Sequence, residues 1–154
     1  MAHNNYFQFK QFRITQNRAA MRVGTDGVLL GAWTRLNSAQ TILDVGTGTG
    51  LIALMLAQRT PDARIVGIDI DENAATDAHE NVQDSPWSAR IHIERTSVQE
   101  FAASSPTRFD CIVSNPPFFN NASQAQHESR NTARHTQHLS HTALLESAAQ
   151  LLMP

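Results

Sequence analysis

The hydrophobic pattern of the first 36 residues predicts a hairpin followed by a helix. Apolar and polar residues alternate at first and the alternation then shifts, which indicates a short twisted strand within residues 7–14. Residues 21–23 are predicted to pair with that strand as a hairpin. Glycines then interrupt the pattern, and Thr25 or Asp26 is placed to cap a helix over residues 28–36.

From residue 41 onward, short apolar runs alternate with longer segments of helical period. Strands are predicted over residues 41–45, 64–70 and 109–114 and from residue 91, and helices over residues 51–59, 72–83, 99–103 and 142–152. Such alternation predicts a mostly parallel sheet with helices on both faces, an α/β fold of the Rossmann type. We therefore expect an N-terminal hairpin and helix appendage, residues 1–36, and one α/β domain, residues 37–154.

The composition is that of a globular domain. The 154 residues are 41% hydrophobic and include a single cysteine, Cys111. No apolar run reaches the roughly 18 residues of a membrane-spanning helix, and the N-terminus lacks the charged-then-apolar pattern of an export signal. One cysteine excludes an internal disulfide and a zinc site built from cysteines. These features predict a protein of the reducing cytoplasm.

The charge is distributed unevenly, although the formal net charge is only −2. Residues 1–35 carry five basic residues against one acid, whereas residues 36–119 carry five against eleven. A basic head on an acidic body fits a polyanion such as RNA. An ordinary solvated surface is the alternative interpretation of the same pattern.

A glycine-rich loop separates the strand over residues 41–45 from its helix. It is preceded by Asp44 and contains Gly46, Gly48 and Gly50. Ligands of open α/β sheets bind at the carboxyl ends of the strands, and glycines there let the backbone approach the ligand. A dinucleotide fingerprint would need glycine where Leu51 stands. The nearby carboxylate instead favours a cationic, amino-bearing ligand.

This loop resembles the S-adenosylmethionine (AdoMet) site of class I methyltransferases. The resemblance implies that Asp44 and the three glycines face the methionine part of AdoMet. Asp69 ends the second strand, where it is placed to accept both ribose hydroxyls, and Ile70 beside it is assigned to the cofactor as well. Ser97 and Val98 stand where many members carry an acid near the adenine, so a weaker hydrogen bond and a packing contact are expected there.

A second motif, Asn115-Pro116-Pro117-Phe118, follows the strand over residues 109–114 directly. The Asn115 side-chain oxygen and the Pro116 carbonyl suit the two N–H protons of a planar amine, and accepting both frees the nitrogen lone pair for attack on a methyl group. The prolines stiffen the loop, and Phe118 offers a stacking face for a base. The motif resembles that of methyltransferases acting on adenine N6, guanine N2 and glutamine amides.

The N-terminal segment narrows this choice. Residues 9–14 and 21–33, with residues 133–135 and 139–140, resemble the bacterial tRNA1(Val) adenine-N6 methyltransferases, which modify adenine 37 next to the anticodon. The resemblance implies that Thr25 and Asp26 lie near the cofactor. It also implies that basic residues hold tRNA phosphates: Lys10, Arg13, Arg18, Arg22, Arg130 and Arg134. An N5-glutamine enzyme, a guanine-N2 enzyme on rRNA and a non-catalytic AdoMet- or RNA-binding remnant stay open as alternatives.

Histidines are concentrated in residues 127–141, but no metal is predicted. His135, His138 and His141 do not share one helical face, and no cysteine or carboxylate completes a ligand set. Plain solvent exposure or polar contacts to RNA explain them better.

The number of predicted strands raises a question about length. Methyltransferases of this class usually have seven strands in the sheet, and four are predicted here before the chain ends. The sequence is therefore expected to be truncated at its C-terminus. In that case the strand over residues 109–114 becomes an apolar edge that promotes association, while the oligomeric state stays open.

Overall fold

The computed structural model describes residues 4–117 and 139–154. Within them the elements are, in chain order, β1 (Tyr6–Gln8), β2 (Arg13–Thr15), α1 (Thr25–Trp33), β3 (Thr41–Val45), α2 (Leu51–Arg59), β4 (Arg64–Asp69), α3 (Glu72–Gln83), β5 (Ile91–Arg95), α4 (Val98–Ser104), β6 (Cys111–Ser114) and α5 (His141–Leu151). None of these helices is long and apolar enough to cross a membrane.

Four of the strands form one parallel sheet in the order β5-β4-β3-β6. Neighbouring residues of a strand point to opposite faces, so Ile42 joins an apolar cluster with Leu54 on one side while Leu43 joins a second cluster with Ile68 on the other. Helices cover both clusters. The predicted α/β fold with a parallel sheet is confirmed.

The N-terminal hairpin differs from the prediction. β1 pairs with β2 in antiparallel register, and residues 21–23 form no strand, so the predicted pairing was wrong. The shift in alternation marks the turn of the hairpin: the Phe9 N–H donates to the Phe12 carbonyl (2.9 Å), and the two rings stack with centroids 4.5 Å apart. Phe12 and Ile14 are buried in the same cluster as Leu54. The hairpin therefore shares the core of the sheet, and the boundary at residue 36 stays a prediction.

The helix α1 begins one turn earlier than the pattern predicted and ends at Trp33. Its N-cap is Gly24, in an extended conformation and without a side-chain hydrogen bond, so the predicted capping by Thr25 or Asp26 was wrong. Close packing against α2 fixes the helix instead. A Cβ atom on Gly31 would lie 2.7 Å from the sulfur of Met55, so only glycine permits this approach.

At the other end of the chain, α5 begins as predicted after Ser140, whose hydroxyl accepts the N–H of Ala143 (3.1 Å). Beyond α5 the backbone reaches the sheet. The Phe109 N–H donates to the Leu151 carbonyl (2.8 Å), the Met153 N–H donates to the Phe109 carbonyl (2.9 Å), and Phe109 and Leu152 form a single parallel bridge. This bridge lies on the side of the segment facing away from β3, since the next N–H, that of residue 110, donates toward β3.

Candidate active site

The carboxyl ends of β3, β4 and β6 bring the two predicted motifs together. The register pairs Val45 with Ile68 on one side and with Ser114 on the other. The Ser114 hydroxyl donates to the Val45 carbonyl (2.8 Å), which ties the two strand ends to each other. Gly46 and Asn115 are the residues that follow. The glycine loop and the Asn-Pro-Pro segment therefore start side by side at one edge of the sheet.

The glycine loop adopts a conformation that side chains rarely allow. Gly46, Gly48 and Gly50 have φ values of 71°, 57° and 83°, in the left-handed region. A Cβ atom on Gly46 or Gly48 would meet nothing within 4 Å, whereas one on Gly50 would lie 3.5 Å from Ala78. The first two glycines therefore face open space, which a ligand can approach closely.

Asp44 lies beneath this loop with an exposed fraction of 0%. The Thr47 hydroxyl donates to its Oδ2 (2.7 Å), while Oδ1 has no hydrogen-bond partner among the described residues. Burial raises the pKa of Asp44 to about 7, although the hydrogen bond from Thr47 and the nearby backbone N–H of Ala53 oppose the rise. A buried carboxylate oxygen without a donor is suited to an amino group or another donor from a ligand.

Asp69 is fixed at the end of β4 by backbone donors. Its Oδ2 accepts the N–H of Gly48 and its Oδ1 accepts the N–H of Asp71, both at 2.9 Å. Burial raises the pKa of Asp69, and the hydrogen bonds from Asp71 and Gly48 work against that rise. Each oxygen keeps a second lone pair, and the next side chain, Ile70, is 47% exposed. A fixed acceptor beside an exposed apolar side chain suits a ribose and its base.

The predicted adenine contacts have other partners in the structure. The Ser97 hydroxyl accepts the Glu100 N–H (3.2 Å) and donates to the Glu100 carboxylate (2.9 Å), which makes it the N-cap of α4. The side chain of Val98 is buried with Leu43 and Phe101 in the second cluster. Contacts of Ser97 and Val98 with adenine stay a prediction.

The start of α1 lies against the chemistry segment. A Cβ atom on Gly27 would be 3.2 Å from Leu51 and 3.8 Å from the side-chain nitrogen of Asn115. Thr25 and Asp26, in the same turn, are exposed. Their predicted place near the cofactor stays a prediction.

Some of the predicted site residues lie at the end of the described range 4–117 or outside it. Pro116 is half-buried and Pro117 is exposed. Phe118, Arg130 and Arg134 lie outside the described residues, as do three histidines of the predicted metal-free segment, residues 127, 135 and 138. Within residues 4–117 and 139–154 no group of three potential metal ligands is found. That no metal is bound stays a prediction.

Two of the basic side chains in residues 1–35 contact other groups of the chain. The Arg18 guanidinium contacts the carboxylates of Asp77 and Glu80, each at 2.8 Å. Arg13 lies over the ring of Tyr6, 4.5 Å from its centroid. Lys10 and Arg22 are exposed. Arg18 therefore has a structural partner that the predicted phosphate contact did not anticipate, and RNA contact by all four residues stays a prediction.

Two residues that support the site escaped the sequence analysis. Thr47 donates the hydrogen bond to Asp44. Gly67 of β4 pairs with Asp44 of β3, and its lack of a side chain leaves space for the Thr47 side chain. A Cβ atom on Gly67 would lie 2.8 Å from the Thr47 hydroxyl oxygen. The sequence does contain a signal for Gly67, because a glycine inside a buried strand often marks a place where another group approaches the backbone closely.

Comparison with known proteins identifies the family. Residues 23–151 match the family model described as the methyltransferase small domain. The chain belongs to the methyltransferase small domain family. The methyltransferase class predicted from the sequence is thereby confirmed at the level of the family.

Curated relatives are similar over nearly all of this chain. Proteins of Proteus mirabilis and Trichodesmium erythraeum are each 53% identical over 95% and 96% of it, and one of Bacteroides thetaiotaomicron is 52% identical over 97%. Each is named tRNA1(Val) (adenine(37)-N6)-methyltransferase. The chain spans 58%, 63% and 62% of their respective lengths.

Solved structures agree on the fold. TrmN from Thermus thermophilus superposes with a TM-score of 0.61 at 27% identity, covering 83% of this chain and 35% of that one. An O-methyltransferase of Bacillus cereus, in complex with SAH, gives 0.58 at 20% identity, covering 89% and 56%. The second likeness establishes the fold alone.

Proposed function

We propose that this chain carries the cofactor-binding and catalytic residues of an AdoMet-dependent tRNA methyltransferase acting on adenine N6, at adenine 37 of tRNA1(Val). The observation that carries the proposal is the identity of 52–53% with relatives of that name across at least 95% of the chain. The matched span includes both the glycine loop and the Asn115 segment. A cytoplasmic location follows from a tRNA substrate.

The described residues fit AdoMet. The unpartnered Oδ1 of Asp44 suits the amino end of the methionine part, and the open space at Gly46 and Gly48 admits its backbone. Asp69 would accept the ribose hydroxyls, with Ile70 exposed beside it for an apolar contact. When bound, AdoMet supplies an electrophilic methyl group on a sulfonium.

Asn115 and Pro116 activate the amine in this proposal. The lone pair of the adenine N6 is delocalised into the ring, which makes the nitrogen a poor nucleophile. Accepting its two N–H protons at the Asn115 side-chain oxygen and the Pro116 carbonyl draws the nitrogen toward a tetrahedral geometry. With both protons accepted, the N6 lone pair would be free to attack the methyl group that bound AdoMet would supply, and the proton released from N6 would go to solvent. This is stabilisation by preorganised acceptors and needs no general base.

The substrate adenine must leave its stack to reach these acceptors. The exposed side chains of Lys10, Arg13 and Arg22 are proposed to contact backbone phosphates, and Phe118 to stack on the flipped base. Such contacts position the RNA and carry no sequence information themselves.

Tritiated AdoMet and bulk tRNA from cells lacking this activity test the substrate. Label is expected in N6-methyladenosine of tRNA1(Val). Label in protein glutamine or in guanine would support one of the other amine substrates instead. AdoMet binding by calorimetry without transfer to any of them would indicate a non-catalytic binding module.

Replacement of Asn115 tests the assigned chemistry. Asn115→Ala is expected to lower kcat about 10²- to 10³-fold, because one preorganised acceptor is lost, and to leave AdoMet affinity within twofold. Asn73→Ala, at an exposed position of α3, is the matched control. A parallel loss of AdoMet affinity in Asn115→Ala would assign this residue to cofactor binding rather than to amine activation.

A further inference from the structure

One buried side chain of α3 joins the hairpin to the glycine loop. Asn81 is 2% exposed, and both polar atoms of its side chain have partners. Its amide nitrogen donates to the Thr15 carbonyl (2.8 Å) and to the Thr49 carbonyl (2.9 Å), and its oxygen accepts the Thr15 N–H (2.8 Å). Thr15 ends β2, whereas Thr49 lies between Gly48 and Gly50. The two segments are 34 residues apart in the chain and meet at this amide.

One turn earlier on the same face of α3, Asp77 holds the chain that follows β2. Its buried carboxylate accepts the backbone N–H groups of Arg18 (2.8 Å) and Ala19 (2.9 Å) and the Arg18 guanidinium. The segment then continues to Val23, whose N–H donates to the Gln16 side chain (2.9 Å), and enters α1.

Residues 15–27 thus connect two parts of the site. At one end they are held by α3 next to the glycine loop, and at the other end Gly27 lies against Asn115. Several side chains between these ends are exposed, among them Arg18, Met21 and Arg22. A polyanion that contacts this segment therefore acts on a stretch of chain tied by hydrogen bonds to the glycine loop, which is proposed to hold the cofactor.

We propose that Asn81 is a positioning residue that fixes the glycine loop to the N-terminal segment and thereby couples RNA contact at that segment to AdoMet affinity. The proposal rests on the proposed function, since it concerns the same cofactor loop. The physical reason is geometric: a single planar amide bonds both backbones, so displacement of Thr15 moves the N–H donor that fixes the Thr49 carbonyl. Coupling between binding sites is reciprocal, so AdoMet must tighten RNA binding by the same factor.

Calorimetry of AdoMet binding to the full chain tests the positioning role. Asn81→Ala is expected to weaken AdoMet binding about 5- to 20-fold, in the range typical of coupled sites, while Asn73→Ala leaves it unchanged. Asn81→Ser keeps one donor and carries the test if the alanine variant does not fold. AdoMet affinity within twofold of the parent in a folded Asn81 variant would overturn the proposal.

A double-mutant cycle separates coupling from general destabilisation. Arg18→Ala loosens the segment at Asp77 and is expected to weaken AdoMet binding about threefold in the parent chain. The same substitution is expected to change it less than 1.5-fold when Asn81 is already alanine. Equal effects in both backgrounds would contradict the coupling. Adding bulk tRNA should tighten AdoMet binding in the parent and lose that effect in Asn81→Ala.

Hydrogen–deuterium exchange gives a readout that does not need the cofactor. In Asn81→Ala, peptides covering residues 13–19 and 46–50 are expected to exchange faster together, while residues 64–69 of β4 stay protected. Faster exchange in all three would indicate ordinary destabilisation and would count against the proposal. If the parent chain binds no AdoMet but shows the paired change, the proposed function fails while the link between the two segments stands.

Discussion

Asp44 and Asp77 are both buried, yet they differ in how their oxygens are bonded. The Asp44 carboxylate receives one hydrogen bond, from Thr47, and has one oxygen without a partner among the described residues. The Asp77 carboxylate receives three, from two backbone N–H groups and a guanidinium. The first lies at the carboxyl edge of the sheet, and the second lies on α3 under the N-terminal segment.

The pKa values of these aspartates shift in opposite directions. Burial raises the pKa of Asp44 to about 7, since the hydrogen bond from Thr47 and the nearby backbone N–H of Ala53 do not offset the lost solvation. Burial also acts to raise the pKa of Asp77, but the hydrogen bonds from Ala19 and Arg18 outweigh it, and the pKa is lowered. A buried carboxylate whose donors are all supplied by the chain is an anchor for structure. One that lacks a donor marks a place for a ligand.

Removal of the anchor should give the largest loss of stability. Asp77→Ala leaves two backbone N–H groups without their acceptor, so we expect the free energy of unfolding to fall by about 3 kcal/mol in urea titrations at pH 7. Glu80→Ala is the control, because Glu80 contacts the same guanidinium at the exposed surface and an exposed ion pair contributes less than about 1 kcal/mol. Similar losses in both variants would show that the anchor depends on charge alone.

Acid should remove the same anchor. The pKa of Asp77 is lower in the folded chain than its ordinary value of 3.8, so the unfolded state binds more protons in that range. Its contribution to stability is therefore complete above about pH 4 and is lost as the pH falls through the folded pKa. The slope of stability against pH in that window should be smaller in Asp77→Ala.

Asp44→Asn should raise the free energy of unfolding, whereas Asp77→Ala should lower it. Because the pKa of Asp44 rises from 3.8 to about 7, the folded state holds the proton that the unfolded state releases, and stability falls as the pH rises through that window. The full difference corresponds to roughly 4 kcal/mol. We expect Asp44→Asn to raise the free energy of unfolding by roughly 2 kcal/mol at pH 8 and by little at pH 4.

The same variant should bind AdoMet about tenfold more weakly, since a hydrogen bond to a charged group is replaced by one to a neutral group. Calorimetry and urea unfolding on one preparation give both quantities. If Asp44→Asn is less stable than the parent at pH 8, or if its gain in the free energy of unfolding does not depend on pH, burial of the Asp44 carboxylate does not destabilise the folded chain.

The carboxyl edge of the sheet, with its glycine loop, was predictable from the sequence because the patterns that indicate it are local. The strands around Asp44 and Asp69 are continuous apolar runs, and the glycines between them need positive φ whatever surrounds them. The position of Asn115 beside Gly46 follows from the parallel sheet, in which all strands end at the same edge. Each strand and loop is thus recognised from residues within a few positions of one another, and the parallel sheet then brings their ends together.

The anchor was not predictable for the opposite reason. Asp77 and Asn81 follow the polar face of an amphipathic helix, and that pattern assigns them to solvent. A segment about 60 residues earlier covers them, and no local pattern records it. The hairpin partner was missed similarly, because a shift in alternation fits a twisted strand as well as a turn.

Gly67→Ala tests whether the position of Thr47 depends on empty space beside it. The new Cβ would lie 2.8 Å from both the Thr47 hydroxyl oxygen and Ile93, so Thr47 must move away from Asp44. We expect a loss of about 1.5 kcal/mol in the free energy of unfolding, as for other overpacked cores. Gly24→Ala is the control, because its nearest neighbour would be 3.9 Å away. A Gly67→Ala variant as stable as the parent would mean that the core adjusts without disturbing Thr47.

Ser97 extends the comparison to a site that was predicted for the cofactor. Its hydroxyl is already bonded to both the backbone and the carboxylate of Glu100, so by the same reasoning as for Asp77 we expect its main role to be structural. The sequence carried the signal, since serine followed three residues later by glutamate is a capping box. We expect Ser97→Ala to lower the free energy of unfolding by about 1 kcal/mol and to leave AdoMet affinity within twofold. Ser104→Ala, at the exposed end of the same helix, is the control. A tenfold loss of AdoMet affinity in a stable Ser97→Ala variant would instead support the predicted contact of Ser97 with adenine.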